Sequence, residues 1–196
     1  MDNLTQYISN LKIAVDEKSD TVGDVLELII LQVEGPDKDN TNAGELVPVL
    51  ASMLGTLTNE KFLSKTAMTV AALAKTDSGR NVCCCNALTE PLLHILSSGG
   101  SVAVLTQVCR ALGNICYENN DGRKLILEAD GLSELLKVLE RSVSKSNIDN
   151  ARQLRSCAAG FLLNLIMDQD DLYSKVIDKG IMDVLCSVLE LGVSTK

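Results

Sequence analysis

Few side chains in this sequence could do covalent or acid–base chemistry: there are one histidine and seven cysteines. His94 lies among Leu92, Leu93 and Ile95 on a predicted helix, and no acid or base partner can be assigned to it. We therefore predict a partly buried histidine with a structural role. Cysteines 83–85 lack the C-x2-C spacing that lets two thiolates reach one tetrahedral zinc ion, so they are predicted to fill a short helix.

Nucleotide-binding glycine loops are also missing from the sequence. Neither G-x-x-x-x-G-K-[ST] nor G-x-G-x-x-G occurs, and the one Gly-Gly pair, at 99–100, is typical of a turn between helices. We predict no catalytic residue, no metal site and no cofactor, and a protein that is not an enzyme. If the protein affects nucleotides, it must do so by acting on a partner that binds them.

The charge of the chain is acidic and uneven. The net charge is −8, and residues 1–45 hold ten acidic side chains against Lys12, Lys18 and Lys38. Acidity argues against binding to nucleic acid or to an anionic membrane and favours basic partners. The odd number of cysteines, the polar N-terminus and the lack of an apolar run of about 20 residues predict a cytoplasmic protein without membrane insertion.

The elements that position the remaining polar residues are amphipathic helices that repeat. Apolar residues between 105 and 116 recur at helical spacing, while Gln107, Arg110 and Asn114 share the other face. A similar segment downstream, RSCAAGFLLNLI, places Asn164 50 residues after Asn114. Gly-Arg pairs at 79–80 and 122–123 are 43 residues apart.

A period of roughly 40–47 residues, with two or three helices in each unit, is typical of armadillo and HEAT arrays. We predict an all-α fold, a right-handed armadillo-type superhelical solenoid of about three full repeats plus partial terminal units. Residues 1–196 form one solenoid, with N-terminal helices in 1–35, repeats at 45–76, 79–117 and 121–167, and an incomplete repeat at 171–196. The incomplete repeat lacks a third helix, which suggests the N-terminal part of a longer array. A homo-oligomer or a partner that covers this end is the alternative.

In an armadillo array the third helix of each unit lines a groove that binds partners. The candidate groove residues in two successive units are therefore Gln107, Arg110, Asn114, Gln153, Ser156 and Asn164. The recurring asparagine has two interpretations: it contacts the backbone of an extended partner, or it makes a hydrogen bond between repeats. Ala71 takes this position in the first unit, so the series is interrupted there.

Several segments resemble one known family. The segment RALGNICYENNDGR, at 110–123, is similar to the strongest signature of the small-GTPase GDP dissociation stimulators, the smgGDS proteins and their Vimar relatives. The opening DNLTQYISNLKIAVDEKSD, the segment LVPVLASMLGTL and the long loop at 141–149 are similar too, in the same order.

This resemblance implies a cytosolic armadillo protein that binds Rho-, Rap- and Ras-type GTPases with polybasic, prenylated C-termini. It also implies that the protein promotes GDP release from these GTPases, acts as a chaperone for newly made GTPases, and associates with the endoplasmic reticulum or mitochondria. The family's exchange surface lies mainly on repeats further toward the C-terminus, so no exchange residue is assigned here. The alternative function is a peptide-binding adaptor or scaffold without exchange activity, although the chain has no tryptophan of the kind that importin-type grooves use.

Overall fold

The computed structural model describes residues 3–35, 43–143 and 151–169, together with residues 172, 177, 182, 185 and 186. Every regular element in these ranges is a helix, which confirms the predicted all-α class. The α-helices are α1 (Asn3–Asp16), α2 (Val22–Val33), α3 (Val47–Thr56), α4 (Glu60–Leu73), α5 (Asp77–Cys83), α6 (Asn86–Ser98), α7 (Val102–Cys116), α8 (Asn120–Glu128), α9 (Gly131–Ser142) and α10 (Arg152–Ile166). One 3₁₀ turn, Ala43–Glu45, precedes α3.

The helices pack in two layers. Helices α2, α4, α7 and α10 lie side by side in chain order and form what we call the inner layer. Helices α1, α3, α6 and α9 form an outer layer, and the short helices α5 and α8 pack against inner-layer helices at the ends. Each helix thus contacts helices that are close to it in the sequence, which is how an α-solenoid buries its apolar faces.

The core between the layers consists mainly of aliphatic residues. Leu50, Leu92 and Leu112 are fully buried, and among the described residues Phe161 is the largest side chain that is completely enclosed. Small residues allow the inner helices to approach closely: a Cβ added to Gly113 would lie 3.1 Å from the Cα of Phe161. The low aromatic content therefore suits helices packed at short distance.

Side-chain caps fix where several helices begin. The Asn59 side chain accepts hydrogen bonds from the main-chain nitrogens at the start of α4, and Thr76, Ser101 and Asn119 do the same for α5, α7 and α8. Each cap satisfies an amide that the first helical turn leaves unpaired. The apolar spacing after Asp121 predicts this residue as the cap of α8, and that prediction is wrong by two residues because Asn119 is the cap.

Two other local predictions need correction. The sequence pattern predicts a helix from about Thr89 with Pro91 in its first turn, but α6 begins at Asn86 and Pro91 lies inside it. His94, expected to be partly buried, is exposed on α6 because it lies on the helix face opposite the buried residues Leu92 and Leu96.

Some sequence-based predictions fall outside the described residues. They concern most of a polar loop that the charged and turn-forming residues at 36–44 predict, most of the loop at 141–149, and nearly all of the incomplete repeat at 171–196. The repeat boundaries and the superhelical hand remain predictions. Within the described part, no helix combines the length and apolarity that a membrane span requires.

Candidate protein interface

The inner layer has one face that is open to a partner. Helices α4 and α7 each have inner-layer neighbours on both sides and the outer layer beneath them, so a single side of each remains accessible. We call this side the inner face. Its exposed or half-buried residues recur at helical spacing: Asp24, Leu28 and Leu31 on α2; Lys61, Met68 and Lys75 on and just after α4; Ala103, Gln107, Arg110, Asn114 and Tyr117 on and just after α7; and Gln153, Gly160, Asn164 and Met167 on and just after α10.

The two recurring asparagines bind neighbouring helices. The Nδ2 of Asn114 donates to the carbonyl oxygen of Ala71 on α4, at 2.8 Å. The Nδ2 of Asn164 donates in the same way to the carbonyl oxygen of Gly113 on α7, at 3.0 Å. Of the two interpretations of these residues, the structure therefore shows the hydrogen bond between repeats.

These bonds satisfy carbonyl groups that the ends of the preceding helices leave free. At the end of α7 the amide of Tyr117 donates to Asn114 rather than to Gly113, and Lys75 likewise donates to Ala72 rather than to Ala71. The carbonyls of Gly113 and Ala71 therefore lack the usual donor four residues later. An asparagine from the next inner helix supplies it, which gives a structural reason for the recurrence.

Both asparagines keep an acceptor for other contacts. Asn114 and Asn164 are half-buried, and the Oδ1 atom of each accepts no hydrogen bond from the residues that the structure describes. A partner on the inner face could donate to these oxygens without breaking the bonds between helices. Contact with a partner therefore stays a proposal for both residues.

Gln107 and Arg110 lie together on α7. Both are half-buried, and the Nη1 of Arg110 donates to the Oε1 of Gln107 at 3.3 Å. The next inner helix does not repeat this pair. When Asn164 is aligned with Asn114, the positions of Gln107 and Arg110 are taken by Cys157 and Gly160.

The same alignment separates Gln153 from Ser156. Gln153 corresponds to Ala103, which is exposed on the inner face. Ser156 corresponds to Thr106, a buried residue on the same side of α7 as Gly113, which lies against Phe161 of α10. Ser156 is thus placed toward the edge of α10 that points away from α7, and the six candidates do not form two equivalent stripes.

Ion pairs neutralise much of the charge between α2 and α4. Lys65 Nζ lies 2.6 Å from the Oε2 of Glu27 and also donates to the carbonyl oxygen of Gly23, while Lys75 pairs with Glu34. The hydrogen bond from Lys65, reinforced by its charge, holds the pKa of Glu27 below the usual value. Lys65 and Lys75 therefore neutralise part of the negative charge of the N-terminal part of the chain.

The recurring Gly-Arg pairs position the ends of inner-layer helices, a role that the sequence pattern does not reveal. Arg80 donates to the carbonyl oxygens of Ala74 and Lys75, at 3.4 and 3.1 Å, and pairs with Asp77. Arg123 donates from Nε to the carbonyl oxygen of Asn164 at 2.9 Å. The 43-residue recurrence was the only sequence signal for these buried arginines.

Tyr117 connects one of these arginines to the inner face. Its ring centroid lies 5.2 Å from the guanidinium carbon of Arg80, within the range of a cation–π contact. The tyrosine remains partly exposed at the C-terminal end of α7.

Two buried cysteines and three open clefts in the described part of the chain lack the features of a chemical site. Burial raises the pKa of Cys83 and of Cys116 to about 12, so both thiols stay protonated at neutral pH. No three His, Cys, Asp or Glu side chains in this part are arranged to hold a metal ion. Three open clefts measure about 260, 210 and 280 Å³, below the roughly 300–1,000 Å³ of typical small-molecule sites.

Helices in two layers around an aliphatic core, with an extended open face, define a helical-repeat protein that is suited to binding other proteins. A crystal structure of an engineered protein has the same fold, with a TM-score of 0.77 over 97% of this chain and 78% of that one, at 21% identity. No family model matches the sequence.

Individual relatives do match it. The Rap1 GTPase-GDP dissociation stimulators 1-A and 1-B of Xenopus laevis are 30% and 31% identical to it, each over 96% of this chain and 31% of the relative. The GTPase-GDP dissociation stimulator vimar of Drosophila melanogaster is 35% identical over 55% of this chain and 17% of its own length. These matches confirm the resemblance: the chain is homologous to the GTPase-GDP dissociation stimulator family, and it spans less than a third of the length of these relatives.

Proposed function

We propose that the chain is part of an armadillo-repeat exchange factor and chaperone for small GTPases, and that it binds them through the inner face. The observation that carries this proposal is the sequence match to GTPase-GDP dissociation stimulators over nearly the whole chain. In this proposal the helical layers form about three full armadillo repeats, plus partial terminal units, in a right-handed superhelix.

The mechanism would be docking without covalent chemistry. A surface that binds the open form of a GTPase more tightly than the closed form shifts the population toward the open form, which holds GDP weakly. The inner face offers what docking needs: exposed aliphatic side chains, of which Leu31 is 64% exposed, beside half-buried polar groups such as Gln107 and Asn114. The protein would act as a regulator and not as an enzyme.

The finer parts of the proposal concern the partner and the place of action. We propose Rho-, Rap- or Ras-type GTPases with polybasic, prenylated C-termini, a choice that the net charge of −8 supports through attraction of basic segments. The proposed location is the cytoplasm, with association with the endoplasmic reticulum or mitochondria. Self-association through the C-terminal end is part of the same proposal, and a stable monomer in analytical ultracentrifugation would refute that part.

The experiment follows fluorescent GDP on a prenylated Rap-type GTPase. We expect the chain to bind the GTPase, and we expect GDP release to accelerate only with a version extended at its C-terminus by further repeats of a homologue. Leu31→Glu should weaken binding because it places a charge in the exposed apolar part of the inner face. His94→Glu, on the exposed side of α6 in the outer layer, is the matched control and should bind as the wild type does.

The outcomes separate the two candidate functions. Binding without faster GDP release by either version would favour the alternative, an adaptor or scaffold. If neither version binds any GTPase, the proposed function is wrong.

A further inference from the structure

Arg110 differs from the other basic residues that are buried or half-buried in the described part of the chain. Each of the others has a carboxylate or a main-chain carbonyl as a partner: Lys65, Arg80, Arg123 and Arg155. Arg110 meets neither among the described residues. Its one hydrogen bond goes to the neutral amide of Gln107, at 3.3 Å.

The surroundings of Arg110 leave most of its donors unused. A guanidinium carries five N–H groups, and a half-buried one loses hydration that only an anion or several acceptors can replace. The acidic side chain of α4 is engaged already, because Glu60 accepts a hydrogen bond from the amide of Ser101 at 3.2 Å. On and just after α2, Glu27 pairs with Lys65 and Glu34 pairs with Lys75. Asp24 lies in the first turn of α2, and α4 lies between α2 and α7. The described fold therefore supplies no counter-charge at the middle of the inner face.

The residues around Arg110 have the composition of a protein-binding site. Gln107 keeps its Nε2 donors and Asn114 keeps its Oδ1 acceptor, both without partners among the described residues. Met68, which is 37% exposed, lies at about the same level of α4, and Leu28 and Leu31 continue the apolar surface onto α2. An arginine surrounded by amides and aliphatic groups is a common centre of a protein interface.

We propose that Arg110 is the anchor for an aspartate or glutamate side chain of the protein that docks on the inner face. The carboxylate would accept two parallel hydrogen bonds from the guanidinium, the geometry that makes such pairs strong and specific. An aliphatic residue beside that carboxylate would contact Met68 and Leu31. The inference rests on the proposed function for the identity of the partner, a small GTPase. It assigns an acidic residue of the partner to this contact, although the net charge of the chain favours basic segments.

The test measures the affinity of the whole chain for a GDP-loaded Rap-type GTPase by isothermal titration calorimetry. Arg110→Glu should weaken binding at least about tenfold, because it replaces attraction by repulsion at a partly desolvated contact. Arg110→Gln, which keeps most of the side chain, should also weaken binding, and Arg110→Lys should recover part of the loss. Lys12→Glu on α1 makes the same charge change on the outer layer and should alter affinity less than about twofold. Circular dichroism melting identifies any variant that does not fold.

A charge-reversal series on the GTPase completes the test. Exposed Asp and Glu residues are changed to Arg one at a time, and one of these variants should restore tight binding to Arg110→Glu. If the wild-type chain binds no GTPase, the proposed function and this inference both fail. If the wild-type chain binds a GTPase, and the Arg110→Glu and Arg110→Gln variants bind it as tightly as the wild type does, only the assignment of Arg110 as the anchor is refuted. Weaker binding that no acidic site on the partner can rescue would overturn the carboxylate assignment.

Discussion

A single methyl group at Gly79 should disrupt the junction between α4 and α5. A Cβ at this position would lie 1.9 Å from the carbonyl oxygen of Leu73, so α5 would have to move by about 1.5 Å to reach ordinary contact. That shift would break the cap from Thr76 to the Gly79 amide, which contributes about 1 kcal/mol. It would also weaken the hydrogen bonds of Arg80 to Ala74 and Lys75, a loss of about 1.5–3 kcal/mol.

The expected destabilisation is smaller than the sum of these losses, since alanine favours a helix over glycine by about 1 kcal/mol. Gly79→Ala should therefore lower the free energy of unfolding by about 1.5–3 kcal/mol. With a urea m-value of about 2 kcal/mol/M, the urea concentration at the unfolding midpoint should fall by about 1 M. Circular dichroism measures the unfolding.

Gly160→Ala is the matched control. This glycine lies in the middle of α10, and an added Cβ would meet nothing within 4 Å. The same substitution should here raise the free energy of unfolding by about 0.5–1 kcal/mol. If Gly79→Ala unfolds at the same urea concentration as the wild type, the close approach of α5 to the end of α4 does not constrain the fold as argued.

Other predictions address the asparagine bonds and the buried thiols. Asn114→Ala and Asn164→Ala should each cost about 1–2 kcal/mol in urea unfolding, because a carbonyl at the end of the preceding helix loses its donor. Gln153→Ala on the same layer should change stability by less than about 0.5 kcal/mol, and equal losses for all three would contradict this account. Cys83 and Cys116 should resist alkylation at pH 8 in the native protein but react in urea, as mass spectrometry would show, since burial raises their pKa values to about 12. Folding raises these pKa values above the ordinary 9.0, so their contribution to stability is complete below about pH 9 and is lost as the pH rises toward 12.

The helices could be predicted from the sequence because their causes are local. Apolar spacing depends on residues within one or two turns, and capping by Asn59 or Thr76 depends on three neighbouring residues. The start of α8 was placed at the wrong residue because the segment offers three candidate caps in a row: Asn119, Asn120 and Asp121. Only the backbone conformation decides among them.

The candidate interface was harder to predict because it depends on the register between helices. The sequence pointed to Arg110 and Asn114 through their position opposite an apolar stripe. It could not place Ser156, because the repeat spacings of 43 and 50 residues differ and the repeats cannot be aligned with certainty by sequence alone. A small error in this alignment moves a residue to another side of its helix. It also could not show that Arg123 binds the end of α10, since that contact joins residues 41 positions apart.

By itself, the sequence determined the helical class, the repeated Asn and Gly-Arg positions, and the homology to GTPase-GDP dissociation stimulators. Its periodicity and motifs contain that information directly. Only the tertiary structure decided how those repeated residues are used. The asparagine amides bind carbonyl groups of the preceding helix, and Gly79 and Gly122 allow short helices to approach carbonyl oxygens at the ends of α4 and α7. The physical reason is distance: these contacts require two helices to meet within about 3 Å, and no local pattern encodes that.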